Sequence, residues 1–124
     1  MSDFAETFED LRIWPQARVQ AGNVYRDFGS GSPAERDFGF RDQIQRAGTS
    51  VMNNNAEGFE RFGPKEFAFH HGIAKGSCGE VRSMFYLGED LGYLTSEVAE
   101  KRRTEASTLS RSSEALSKRL REKS

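Results

Sequence analysis

At 124 residues the chain is the size of one domain and long enough to bury an apolar core without metal or disulfide staples. Its lone cysteine, Cys78, excludes an intramolecular disulfide framework, and no apolar run approaches the roughly eighteen residues of a membrane span. The net charge of -1 excludes long-range attraction of phosphate by the whole molecule, but the charge is uneven: residues 1–60 carry six Lys/Arg against ten Asp/Glu, residues 61–94 four of each, and residues 95–124 eight against five.

In chain order, the start Met1–Asp10 is acidic and has no apolar stretch of the secretion-signal kind, which together with the unpaired thiol predicts a cytoplasmic protein. Leu11, Trp14, Ala21, Val24 and Phe28 predict a first helix over residues 10–28; because Pro15 falls inside it, the helix either starts near Trp14 or kinks. The loop Phe28–Ser32 is a break, after which Ser32-Pro33-Ala34-Glu35 reads as a capping box with proline at the first helical position. The helix predicted from there, over residues 33–61, carries Phe40, Ile44, Ala47, Val51, Asn54 and Gly58 at alternating spacings of four and three. Gly63-Pro64 restarts the chain, and a helix over residues 64–92 follows with the stripe Phe67, His70, Ala74, Ser77, Val81, Met84, Gly88 and Leu91, closed by Gly92-Tyr93. Thr95 or Ser96 caps the last helix, residues 95–122, whose stripe is Arg102, Ala106, Leu109, Ser113, Leu116 and Leu120. No strand alternation and no Asn-Gly hairpin turn interrupts this pattern. The predicted fold is all-α: one antiparallel up-and-down four-helix bundle spanning residues 1–124.

The two inner helices carry more aromatics than one buried stripe can hold. Phe38 and Phe40 diverge by about 200° around a helix, as do Phe67 and Phe69, so a second buried face, against another subunit, is expected. Polar residues recur on the same helices. Gln43, Arg46, Asn55, Glu57, Ser77 and Glu80 are expected to form a hydrogen-bonded network that sets helix register or subunit contacts, because charges near a core must be paired. With the turn centred near Phe62, antiparallel packing sets Arg46 within half a turn of Glu80 and Asn54 level with His70.

The usual catalytic and metal-binding patterns are missing. His70 and His71 diverge by about 100° on a helix, and neither His-Glu-x-x-His nor Glu-x-x-His occurs, so no metal or cofactor is expected. The segment Gly58–Lys65 has the glycine spacing of a phosphate loop, but Pro64 stands where the lysine is required. Cys78 lies two turns from His71 with no third orienting group, which predicts a buried, inert thiol. The last helix is the most basic segment. Lys101, Arg102, Arg103, Lys118, Arg119, Arg121 and Lys123 either form a solvated face that complements the helix dipole or make a nucleic-acid-contacting edge that works through phosphates, since no aromatic interleaves them.

Several segments together carry a family resemblance. Phe8-Glu-Asp10-Leu11-Arg-Ile-Trp14, Gln43-Ile-Gln-Arg46-Ala-Gly-Thr-Ser50, Asn55-Ala-Glu57-Gly58, Ala74-Lys-Gly76-Ser77-Cys-Gly-Glu80 and Leu91-Gly92-Tyr93 resemble, in order and spacing, the four-helix bundle proteins named for 23S rRNA intervening sequences. The resemblance implies a left-handed bundle that assembles as a ring, typically a homopentamer, without established enzymatic activity. The retroelement accessory variability determinant, which partners a reverse transcriptase and binds nucleic acid, looks like a relative. The expected function is therefore a non-enzymatic homo-oligomeric scaffold, its partners being copies of itself and RNA, DNA or a nucleic-acid enzyme such as a reverse transcriptase. The alternative is a small-molecule-binding bundle that uses its polar interior.

Overall fold

A computed structural model describes residues 5–61 and 63–123, so Met1–Phe4 of the acidic start at Met1–Asp10 and the turn centre at Phe62 lie outside the described residues. After a single 3-10 turn at Phe8–Asp10 come four helices: α1 (Ile13–Asp27), α2 (Phe38–Glu60), α3 (Pro64–Asp90) and α4 (Ser96–Lys123). Among the described residues no strand occurs. Each helix packs on its sequence neighbour, and α1 returns to α4 to close the bundle; α2 with α3 is the most extensive pairing and α1 with α4 the least. Among the described residues no helix is long and apolar enough to cross a membrane.

The local chemistry of the helix ends accounts for most of these boundaries. Pro15 falls in the first turn of α1, where backbone N–H groups have no intrahelical partner, so the ring costs nothing and the helix starts at Ile13 without a kink. Gly63, at a φ of 102°, precedes Pro64 at the first position of α3. At its other end Gly92, at a φ of 77°, lets the Tyr93 amide reach the Gly88 carbonyl (2.8 Å) and its own amide reach that of Glu89 (3.0 Å), a Schellman closure. The Thr95 hydroxyl accepts from the Val98 amide and caps α4.

The start of α2 departs from expectation by five residues. Ser32 and Glu35 do not form the predicted box, because both bond backwards into the loop: the Ser32 hydroxyl donates to the Gly29 carbonyl (2.7 Å), and Glu35 Oε1 accepts from the Gly31 amide (3.0 Å). Asp37 caps the helix instead, accepting from the Phe40 amide (3.1 Å). Its second oxygen accepts from the Tyr93 hydroxyl (2.6 Å), and the Tyr93 ring sits edge-on to Phe40. These two bonds, Tyr93's the stronger, hold the Asp37 carboxyl below its usual range. A contact spanning 56 residues thus selects the cap.

The core lies in two apolar clusters, one toward each end of the bundle. Leu11, Ile13, Ala17, Val51, Phe67, Leu109, Leu116 and Leu120 build the first. Val24, Phe28, Phe40, Ile44, Val81, Met84 and Phe85 build the second, where Phe28 meets Phe40 edge to face. The predicted stripes shift by one residue in two places, where Asn55 rather than Asn54 and Cys78 rather than Ser77 is fully buried, and the last predicted position, Leu91, is exposed at the cap of α3. The α2/α3 seam is tight because Gly58 has no side chain. A Cβ there would stand 2.8 Å from His70 Cβ and 3.3 Å from Phe67 Cα.

Candidate functional site

The outer face of the α2/α3 pair is where unusual features gather. Antiparallel packing brings a ladder of polar side chains together across the seam. Gln43 donates to Glu80 (3.1 Å), Ser50 and Ser77 share a hydrogen bond (2.8 Å), and Asn54 bonds both Ser50 and His70. Gln43, Ser77 and Glu80 of the predicted network therefore belong together, with Ser50, Asn54 and His70 added. Asn54 does stand level with His70, as the register argument requires.

The other predicted members go elsewhere. Arg46 lines the same shallow groove as Gln43, Ser77 and Glu80, yet it reaches along its own helix to Asp42 (3.6 Å) and is 79% exposed. Glu57 pairs with Arg61 one turn on, at the end of α2. Asn55 points inward. Its Nδ2 donates to the Val51 carbonyl (2.8 Å) and its Oδ1 lies 2.7 Å from His71 Nδ1, while His71 Nε2 lies 2.8 Å from the Ser113 carbonyl. His71 is 1% exposed, and burial pushes its pKa below the usual histidine range despite the Ser113 carbonyl, which favours the charged ring. Cys78 is fully buried, its thiol directed at the Ala106 carbonyl and the Ser110 hydroxyl. Among the described residues no three His, Cys, Asp or Glu side chains converge as metal ligands would.

Flanking the ladder are side chains that a lone bundle leaves in water. Phe38 is 72% and Phe69 65% exposed, each on the opposite face of its helix from a buried partner, Phe40 and Phe67. Among the described residues, six of the eight large apolar side chains left exposed (Phe38, Phe69, Ile73, Tyr86, Leu87 and Leu91) belong to α2, α3 or its cap. On α3, Phe69, Ile73, Gly76, Glu80, Ser83 and Leu87 follow one another at spacings of four and three, so they share a face. Around Gly72, Gly76 and Gly79 nothing stands within 4 Å of where a Cβ would be.

The basic residues of α4 are less available than their sequence suggests. Arg102 is nearly buried and forks onto Asp27 of α1 (2.7 and 3.1 Å), with a further bond to Glu105. Arg103 bonds Glu89 (2.7 Å) and lies over the Tyr86 ring at 4.2 Å. The Ser96 hydroxyl and Arg103 together hold the Glu89 carboxyl below its usual range. Lys101, Lys118 and Arg119 are exposed, Arg121 is exposed beside Glu114, and the Lys123 side chain lies outside those described. Sequence inspection missed a second cationic group. Arg82 and Arg111 line one shallow depression on the α3/α4 face with Arg103 and Tyr86. Arg82 and Arg111 are 29 positions apart, and only the pairing of α3 with α4 unites them.

Compared with known proteins, residues 9–115 match the family model described as 23S rRNA-intervening sequence protein. No curated protein matches the chain.

Proposed function

The chain belongs to the 23S rRNA-intervening sequence protein family, and from that premise we propose that it is a non-enzymatic scaffold that assembles from identical copies, as a ring of five, and presents a cationic face to RNA, DNA or a nucleic-acid enzyme. The observation that carries this reading is the exposure of Phe69, Ile73 and Leu87 along one face of α3, with Phe38 exposed at the start of α2. Apolar side chains grouped on one region of a small bundle mark an interaction surface. The bare glycine positions on α3 let a neighbouring helix approach closely, and the ladder between Gln43, Glu80, Ser50, Ser77, Asn54 and His70 enters the interface with many of its polar groups already bonded. Nucleic-acid contact is favoured by a separate observation, the grouping of Arg82, Arg103 and Arg111 with Tyr86. That group offers two exposed guanidinium groups, Arg82 and Arg111, for phosphate contact beside Glu100 and the Glu89-paired Arg103.

Light scattering on the full chain tests the assembly. The expected mass is a multiple of 14.0 kDa, near five chains. Phe69→Glu with Leu87→Glu, both at exposed positions, should return a folded single chain. A wild-type mass of one chain across micromolar concentrations refutes the scaffold reading, and a stable dimer refutes the ring.

A further inference from the structure

The groove between α1 and α4 has a different character from the α2/α3 face. These helices meet least closely of the four neighbouring pairs, and a cleft of about 300 Å³ opens between them. Its apolar lining comes from Phe85 and Leu109, both all but fully buried, and from Val19 of α1 at the exposed side. Phe85 belongs to one apolar cluster and Leu109 to the other, so the cleft lies where the two halves of the core meet.

Gln16 and Gln20, one turn apart on α1, line the same cleft. Each has a buried carboxamide oxygen with no hydrogen-bond partner, and Gln20 as a whole is only 7% exposed. A buried acceptor left unpaired is costly, and native proteins leave few of them. The other buried side-chain atoms without partners among the described residues, on Trp14, Arg41 and Ser113, do not line this cleft. Two glutamines lining one largely apolar cleft thus hold oxygens that no donor of the chain reaches as packed, although Asn23, Thr104 and Thr108 also line it. The last torsion of a glutamine is soft, so either carboxamide can turn its oxygen into the cleft at small cost.

We propose that the α1/α4 cleft is a binding site for a small, uncharged, planar heteroaromatic molecule whose N–H donates to Gln20 and Gln16 while its rings lie against Phe85, Leu109 and Val19. The volume is at the lower end of ligand pockets and suits a molecule of one or two fused rings. The ligand is uncharged because the one cation at the cleft, Arg102, is already matched by Asp27 and Glu105. Its body is apolar because the two buried walls, Phe85 and Leu109, offer no polar atom, and a flat ring matches the Phe85 face. This site is independent of the α2/α3 face and stands whether or not the chain assembles.

Indole and 1-methylindole, alike in shape but differing in the single N–H, are the probes. Titrated into the full chain and followed by NMR, indole should move the Val19 and Leu109 methyl signals and the Phe85 ring signals saturably at millimolar concentrations. 1-Methylindole should bind at least about tenfold more weakly, the loss of one hydrogen bond to a buried acceptor. Gln16→Leu with Gln20→Leu should erase the difference between the two probes. Thr108→Trp, at an exposed position on the cleft rim, should abolish binding of both without touching the core. Absence of saturable shifts, or equal binding of the two probes by the wild-type chain, overturns the proposal. Shifts of the same signals with protein concentration that indole does not displace would assign the cleft to a second copy of the chain and overturn it as well.

Discussion

His71 and Asn55 face each other in the interior of the bundle with Nδ1 and Oδ1 2.7 Å apart, although nothing in their chemistry makes that an easy pair. The Ser113 carbonyl can only accept, so His71 Nε2 carries a proton. A neutral ring then has a bare Nδ1, which calls for the Asn55 amide nitrogen, yet that nitrogen already donates to the Val51 carbonyl. A charged ring would satisfy both acceptors, but burial opposes charge and lowers the pKa. Ring charge and the orientation of Asn55 are therefore coupled.

The sign of the pH dependence follows. The folded chain favours the neutral ring, whereas the unfolded chain takes up a proton near the ordinary histidine value of about 6.5. The stabilisation is complete above that value and is lost as pH falls from there toward the lower folded pKa, at up to about 1.4 kcal/mol per pH unit. Urea denaturation between pH 8 and pH 5 should show this decline. His71→Leu should be less stable at pH 8 by about 1 kcal/mol, having lost the Nε2–H bond to the Ser113 carbonyl, and its profile should be flatter. Parallel profiles for the two proteins would refute the assignment.

Gly58 should not tolerate a methyl group. A Cβ 2.8 Å from His70 Cβ and 3.3 Å from Phe67 Cα can be accommodated only by moving α2 away from α3. Gly58→Ala should cost about 1–3 kcal/mol. Gly48→Ala is the control: there a Cβ would meet Ala21 Cα at an ordinary 3.6 Å, and the gain in helix propensity should leave stability equal or raised by about 0.5–1 kcal/mol. Thermal denaturation of both variants checks the contrast.

Arg46 and Glu80 line one groove but spend their bonds separately, on Asp42 and on Gln43. Because Arg46 is exposed, Arg46→Ala should alter the stability of the single chain by less than about 0.5 kcal/mol. A double-mutant cycle with Glu80→Gln, run in the monomeric Phe69→Glu, Leu87→Glu background, should give no coupling. A coupling above about 1 kcal/mol would mean that the two side chains are directly paired.

Arg102 should behave as a structural residue. Its fork onto Asp27 joins α4 to α1 where both side chains are largely withdrawn from water. Asp27→Asn should cost about 1–3 kcal/mol, the value of hydrogen bonds to a charged group. Chemical denaturation measures it, and an unchanged midpoint would place the pair among surface bridges of little consequence.

Nucleic-acid binding, if direct, should follow the exposed cations. Arg82→Glu with Arg111→Glu should abolish retardation of labelled RNA at low salt while leaving the thermal midpoint nearly unchanged. Wild-type binding should be weak, indifferent to sequence, and fall steeply between about 50 and 200 mM salt as counterions are released. No retardation by the wild-type chain at low salt would confine the scaffold to protein partners.

Much of this molecule could be read from its sequence because the relevant forces act within a few residues. Helical periodicity, Gly63-Pro64 and Gly92 placed α3 to within two residues of its observed limits, since φ preferences and hydrogen bonds between near neighbours decide helix ends. The doubled aromatic faces were equally legible, because Phe38 and Phe40 are forced apart by 3.6 residues per turn whatever packs against them. The start of α2 was not legible, because the Tyr93 hydroxyl from a distant loop lies on Asp37 and Ser32 and Glu35 are drawn back into their own loop. Nor was the availability of the α4 cations, because a sequence displays charge but not its partner: Asp27 lies 75 residues from Arg102 and meets it only when α1 returns to α4. The same return, closing the bundle more loosely than the other pairings, leaves open the cleft beside Gln16 and Gln20. Helix identity is local chemistry, whereas pairing, burial and vacancy belong to the packed bundle.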